Sequence, residues 1–123
     1  MVKQLTSPDQ SNRVRLKKAS RIGLAELKNF PESLTNPAVI LCADIESDDD
    51  GQISILEQVI NSIPKNISMY VLEKEGLAAF AQAYHIKGYP TFLLFVSGSE
   101  KDRFLGKADY ANLAGFIKKH LSL

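Results

Sequence analysis

Ala83 to Gly106 reads AYHIKGYPTFLLFVSGSEKDRFLG, and the fold turns on how this stretch divides. Gly88-Tyr89-Pro90 interrupts regular structure, because proline has no amide hydrogen to donate and glycine weakens any element it enters. TFLLFV (Thr91–Val96) follows as a continuous apolar run of strand length, the pattern of a strand buried on both faces. Ser97-Gly98-Ser99 supplies a tight turn. KDRFLG (Lys101–Gly106) then alternates polar and apolar residues, as a half-exposed partner strand does, so a β-hairpin is predicted here.

Upstream, EGLAAFAQAYHI (Glu75–Ile86) is alanine-rich and sets Leu77, Phe80 and Tyr84 on one helical side. Downstream, ADYANLAGFIKKHL (Ala108–Leu121) is an amphipathic helix with Asp109 as N-cap. Lys118, Lys119 and His120 fall in its last turn, where the helix dipole favours cations. AVILCA (Ala38–Ala43) and ISMYVL (Ile67–Leu72) are two further buried strands. Between them GQISILEQVINSI (Gly51–Ile63) places Ile53, Leu56, Val59/Ile60 and Ile63 at helical spacing, with Pro64 as its stop. GLAELKNF (Gly23–Phe30) puts Leu24, Leu27 and Phe30 on one helical face, limited by Pro31, and a weakly signalled strand around Val14–Leu16 precedes it.

Helix-linked strands pair in parallel, and the hairpin adds an antiparallel edge. The expected fold is α/β: a central mixed sheet of about five strands with about four helices on both faces. Residues 1–12 are expected to be a polar, flexible N-terminal segment and residues 13–123 a single domain.

Composition removes several functions. With 45% hydrophobic and 24% charged residues over 123 positions, the chain is globular rather than disordered. Cys42 is the only cysteine, so there is no internal disulfide and no CxxC for redox or metal chemistry. His85 and His120 stand in unrelated segments, and a zinc site would want more ligands than these. No apolar run reaches bilayer length, and the N-terminus has no apolar block of the secretory kind, so a cytoplasmic location and no membrane partner are expected. A net charge of +1 argues against a nucleic-acid binder. The charge is nonetheless uneven: residues 1–30 hold seven Lys/Arg against two acids, and residues 31–75 hold nine acids against two lysines.

The order of elements, with Gly-Tyr-Pro-Thr before a strand–turn–strand hairpin ending in glycine, resembles the thioredoxin family over residues 13–121. The resemblance implies a cis Tyr89–Pro90 bond, a conformation within about 1 kcal/mol of trans for an X–Pro peptide. It also implies a Trp-Cys-x-x-Cys where the central strand enters its helix. Laid on that junction without a gap, ADIESDDDGQISILEQVI (Ala43–Ile60) has Glu46 at the tryptophan, Ser47 at the first cysteine and Asp50 at the second. Leu41 falls where the family keeps a buried acid. The chain is thus a variant without the dithiol, and thiol–disulfide exchange through a CxxC is excluded. Asp48, Asp49 and Asp50 would sit at a helix N-terminus, where each is favourable by roughly 0.3–1 kcal/mol.

The same stretch also carries a calcium-loop pattern. Glu46, Asp48, Asp50, Gln52, Ser54 and Glu57 occupy the ligand positions of an EF-hand, with Gly51 at the sharp turn. Its flanks disagree, since an EF-hand needs a helix where AVILCA reads as a strand. If a helix starts near Asp50, Glu57 lies about 10 Å up its axis, beyond the reach of ligands that each stand about 2.4 Å from one ion.

The resulting expectation is a redox-inactive, thioredoxin-like protein-binding module, an assembly factor, chaperone-like adaptor or regulatory domain with no cofactor. Its surface would be Ser47, Asp48, Asp49, Asp50, Tyr89, Pro90, Gly106 and Lys107. Its partner would be another protein or an extended peptide, a basic one suiting the acidic run, and in this superfamily the residue before the cis-proline offers its backbone to such a segment. Two alternatives stand beside it: calcium binding through Glu46–Glu57, and an atypical thioredoxin-family enzyme using Cys42 or Ser47 as a single nucleophile.

Overall fold

A computed structural model describes residues 16–44 and 51–122. Its regular elements are β1 (Ser20–Ile22), β2 (Ala38–Cys42), α1 (Gln52–Ser62), β3 (Ser68–Leu72), α2 (Lys74–Tyr84), β4 (Thr91–Val96), β5 (Ser99–Leu105) and α3 (Tyr110–Leu121). A single 3-10 turn, Leu24–Leu27, follows β1. One sheet runs in the order β1-β3-β2-β4-β5. β1 and β2 pair with β3 in parallel, while β4 is antiparallel to both β2 and β5. The mixed sheet and the hairpin are those expected from the sequence.

The apolar run of β2 serves two cores at once because successive strand residues point to opposite faces. Val39 and Leu41 pack with Leu56, Ile60, Leu113 and Ile117 of α1 and α3. Ile40 and Cys42 pack with Leu77 and Phe80 of α2 on the other side. Phe92 and Leu94 of β4 join the first core, and Leu93 and Phe95 the second. Each such side chain removed from water contributes about 1.5–3 kcal/mol, so these two central strands are the mechanical centre of the domain.

Three α-helices stand where about four were expected. The segment Gly23–Phe30 makes only one 3-10 turn, because Lys28 is already extended at ψ 122° and Asn29 then turns left-handed at φ 64°. Leu27 and Phe30 still pack on the α2 side, Phe30 meeting Tyr70 edge-on at 5.1 Å. Leu24, expected on the same face, is 56% exposed instead. The first strand is also displaced. It forms at Ser20–Ile22, and Leu16 has no regular structure; Val14 lies outside the described residues, as does the N-terminal segment 1–12.

The chain between Leu16 and β1 is held to α1 by side chains that act as a strand would. Asn61 accepts the Lys17 amide at 2.8 Å and donates to the Lys17 carbonyl at 3.0 Å, and Glu57 accepts the Ala19 amide at 2.8 Å. At the hairpin tip Ser97 and Gly98 both take positive φ, 53° and 80°, as the two central residues of a type I′ turn must. Gly98 is doubly required, since a Cβ there would run into the carbonyl oxygen of Glu32. α3 is capped as expected: Asp109 Oδ1 accepts the amide of Asn112 at 2.8 Å.

Candidate functional site

Of the residues singled out from the sequence, Tyr89, Pro90, Gly106 and Lys107 stand at one end of the sheet, where β2 and β3 finish and β4 begins. Tyr89 and Pro90 lead into β4 through a cis peptide. The loop before them is closed by Thr91, whose hydroxyl donates to the Gly88 carbonyl at 2.7 Å. Opposite Thr91 in the register is Leu105, the last residue of β5. Gly106 then turns at φ 92° and donates its amide to the Pro90 carbonyl at 2.9 Å. Pro90 and Gly106 are therefore in direct contact, with Tyr89 and Lys107 their immediate neighbours in the chain.

Large apolar side chains are left in water around this joint. Tyr89 is 50% exposed, Leu105 64% and Tyr110, at the start of α3, 43%. Sequence reasoning proposed Tyr89 and missed Leu105 and Tyr110. Leu105 could be reached only by knowing that β5 is a sheet edge, and Tyr110 only by knowing which face α3 turns inward. Ser47, Asp48, Asp49 and Asp50, together with Glu46, lie outside the described residues.

Gln52 has a structural task that no local pattern announced. Only 4% exposed, it donates Nε2 to the Ala108 carbonyl at 3.2 Å and accepts the Ala108 amide on Oε1 at 2.8 Å. It thereby ties the first turn of α1 to the loop behind Gly106, and satisfies both backbone groups of a residue in no regular element. The other two described members of the calcium pattern are on the same helix. Ser54 Oγ accepts from Gln58 at 3.1 Å, and Glu57 holds Ala19 and faces Lys18 at 4.0 Å. Because α1 already begins at Gln52, that residue and Glu57 are separated by about 7.5 Å of helix rise. Among the described residues no group of three or more His, Cys, Asp or Glu is placed to hold a metal ion.

Cys42 is fully buried in the α2-side core, and burial pushes its thiol up to about 12. At neutral pH such a thiol stays protonated, and the thiolate is the nucleophile. The side chain is packing material. Beside Tyr89 there is also a cavity of about 530 Å³, floored by Leu72 and Leu77 and flanked by Leu24 and Ala43.

A five-stranded mixed sheet in this order, with helices on both faces and a proline loop entering β4, defines a thioredoxin-like fold. The sequence model of the Thioredoxin family matches residues 53–119, more than half of the chain. This chain therefore belongs to the thioredoxin family, as a member whose single cysteine leaves no CxxC. It is 26% identical over 102 residues to a thioredoxin of Chlamydia caviae, a match that covers 80% of this chain and 98% of that protein. It is 29% identical over 76 residues to the M-type chloroplastic thioredoxin of Spinacia oleracea, covering 58% of this chain and 42% of the spinach protein. No helix among the described residues is long and apolar enough to cross a membrane.

Proposed function

We propose that this protein is a dithiol-free thioredoxin-family module that binds another protein through the surface around Tyr89, Pro90, Gly106 and Lys107. The observation that carries the reading is the exposure of Tyr89, Leu105 and Tyr110 around the Pro90–Gly106 hydrogen bond. Exposed aromatic and aliphatic residues gathered on a rigid frame are characteristic of partner surfaces, whereas single exposed apolar residues need no explanation. The frame is rigid here because Thr91 closes the Gly88–Thr91 loop, and Gly106 and the Gln52–Ala108 pair tie that loop, the segment after β5 and the start of α1 together. Asp48, Asp49 and Asp50 precede α1 in the chain, and their charge favours a basic or extended partner segment. A role as assembly factor or chaperone-like adaptor in the cytoplasm suits a family member that has no redox pair and a lone buried thiol.

The test is affinity capture with the wild type, Tyr89→Ala, Leu105→Ser and a triple Asp48/Asp49/Asp50→Ala variant, with folding checked by circular dichroism. Loss of the same partners from the Tyr89 and Leu105 variants is expected. Equal recovery by all four proteins would remove the reading. Retention by the triple variant alone would remove the aspartates from the binding surface. In an insulin-reduction assay the protein should not exceed the background of the reductant, since no dithiol is available to turn over.

A further inference from the structure

We propose that a second, shallow cavity, where β1 and β3 begin, binds a small phosphate ester. This is the opposite end of the sheet from Pro90 and Gly106, so the site is separate from the protein-binding face. The cavity measures about 250 Å³, below the roughly 300–1,000 Å³ that takes a drug-sized ligand, and suits a phosphate group carrying a few carbons. Its lining comes from two stretches of chain. Lys17 and Lys18 lead into β1, Ser20 opens that strand, and Asn66 stands just ahead of β3. Ser68 and Tyr70 lie two apart on β3 and so share a face of the sheet. Ser20, the partner of Tyr70 in the register, joins them on that face. Tyr70 is braced by Phe30, edge-on at 5.1 Å.

The lining holds two cations and no carboxylate. Lys17 is fixed by neutral oxygens: its Nζ donates to Asn66 Oδ1 at 3.1 Å and to the Ile67 carbonyl at 3.2 Å. An ammonium has three hydrogens, so one is left for a ligand, and among the described residues no acid pairs with this lysine. Lys18 faces Glu57 at 4.0 Å, but that carboxylate lies on α1 outside the lining and already accepts the Ala19 amide. An exposed pair of that length is worth little and lets Lys18 turn toward a ligand. The hydroxyls of Ser20, Ser68 and Tyr70 and the side-chain nitrogen of Asn66 donate to no protein group among the described residues. A phosphate monoester carries about −1.5 to −2 charge near neutral pH and three acceptor oxygens. Two ammonium groups and several short neutral donors match it in sign, charge and number. A carboxylate, with a single charge and two oxygens, leaves part of this lining unanswered.

The experiment is a titration of the isotope-labelled full chain at constant ionic strength, followed by amide chemical shifts. The probes are ribose 5-phosphate, inorganic phosphate, acetate and a phosphoserine peptide. Saturable shifts at Lys17, Ser20, Ser68 and Tyr70, with none at Tyr89 or Gly106, are expected from ribose 5-phosphate, and weaker binding from inorganic phosphate. Lys17→Gln should weaken ribose 5-phosphate binding about tenfold, and Lys18→Gln and Ser68→Ala several-fold each. Lys17 also braces Asn66, so urea unfolding is run on every variant, and Lys18→Gln and Ser68→Ala decide the outcome if Lys17→Gln does not fold. Equal binding of acetate overturns the phosphate assignment, and equal binding of inorganic phosphate overturns the ester. Tighter binding of the phosphoserine peptide assigns the cavity to a protein partner and overturns the small ligand. Shifts that do not saturate, or binding unchanged in Lys18→Gln and Ser68→Ala, overturn the proposal outright.

Discussion

Arg103 and Glu100 lie three residues apart on β5 and yet share a face of the sheet. Arg103 Nε donates to Glu100 Oε2 at 2.6 Å and Nη2 donates to Oε1 at 2.8 Å, a two-pronged pairing. Strand residues three apart normally point to opposite sides. The register explains the exception: Leu94 faces Asp102 and Phe95 faces Glu100, so Lys101 is an extra residue, a β-bulge. Beyond the bulge Arg103 also reaches the last turn of α2, donating to the carbonyls of Tyr84 at 3.1 Å and His85 at 3.4 Å. Those carbonyls have no partner within their own helix. One guanidinium thus joins the edge strand to the end of α2.

Replacing Arg103 by lysine keeps the charge but loses the fork, and should destabilise the protein by about 1–2 kcal/mol, the range for charge-assisted hydrogen bonds that are partly solvated. Urea unfolding of Arg103→Lys, Glu100→Gln and the double variant checks this. A coupling energy near zero in that cycle would show the pair to be decorative.

Because of the same bulge, Asp102 faces the opposite side, where its Oδ2 meets His120 Nε2 of α3 at 2.7 Å. The Arg103 amide, and then His120, hold the Asp102 carboxyl below its ordinary value. A carboxylate with a depressed folded-state pKa stabilises the fold above its unfolded value, about 4, and loses that contribution as pH falls through the folded value. Wild type should therefore exceed Asp102→Asn in stability at neutral pH, and the gap should close below about pH 4. A gap that persists unchanged into acid would contradict this.

Cys42, with its thiol pushed up to about 12 by burial, should be inert to thiol reagents in the native protein and react fully once the chain is unfolded in guanidinium. Rapid native-state labelling with a chromogenic disulfide would overturn both the packing role and the predicted protonation. Cys42→Ser, which buries a hydroxyl in the α2-side core, is expected to cost about 1–3 kcal/mol.

Gln52→Ala should strand the buried amide and carbonyl of Ala108, at about 2–3 kcal/mol for the two backbone groups. The specific readout is hydrogen exchange: the Ala108 amide should lose its protection while the β2 amides keep theirs relative to global stability. Because the loop concerned follows Gly106, the variant should also weaken partner capture more than its stability loss alone explains.

Much of this molecule is local and was therefore readable. The apolar runs of β2, β3 and β4, the helical spacing of α1, α2 and α3, the Ser97-Gly98 turn and the Asp109 cap each depend on residues a few positions apart, where backbone sterics and side-chain period act directly. The absence of a CxxC is composition, needing no structure at all. What only the tertiary structure decided is long-range or depends on which edge is open. Gln52 finds Ala108 at a separation of 56 residues, and Glu57 is spent on Ala19 rather than offered to an ion. The bulge at Lys101 appears only when β5 is laid against β4. Leu105 and Leu24 are apolar in the sequence like any core residue, and their exposure follows from an unpaired strand edge and from a helix that stops after one turn. Periodicity reports how a segment divides its own faces; what each face meets is decided by the rest of the chain.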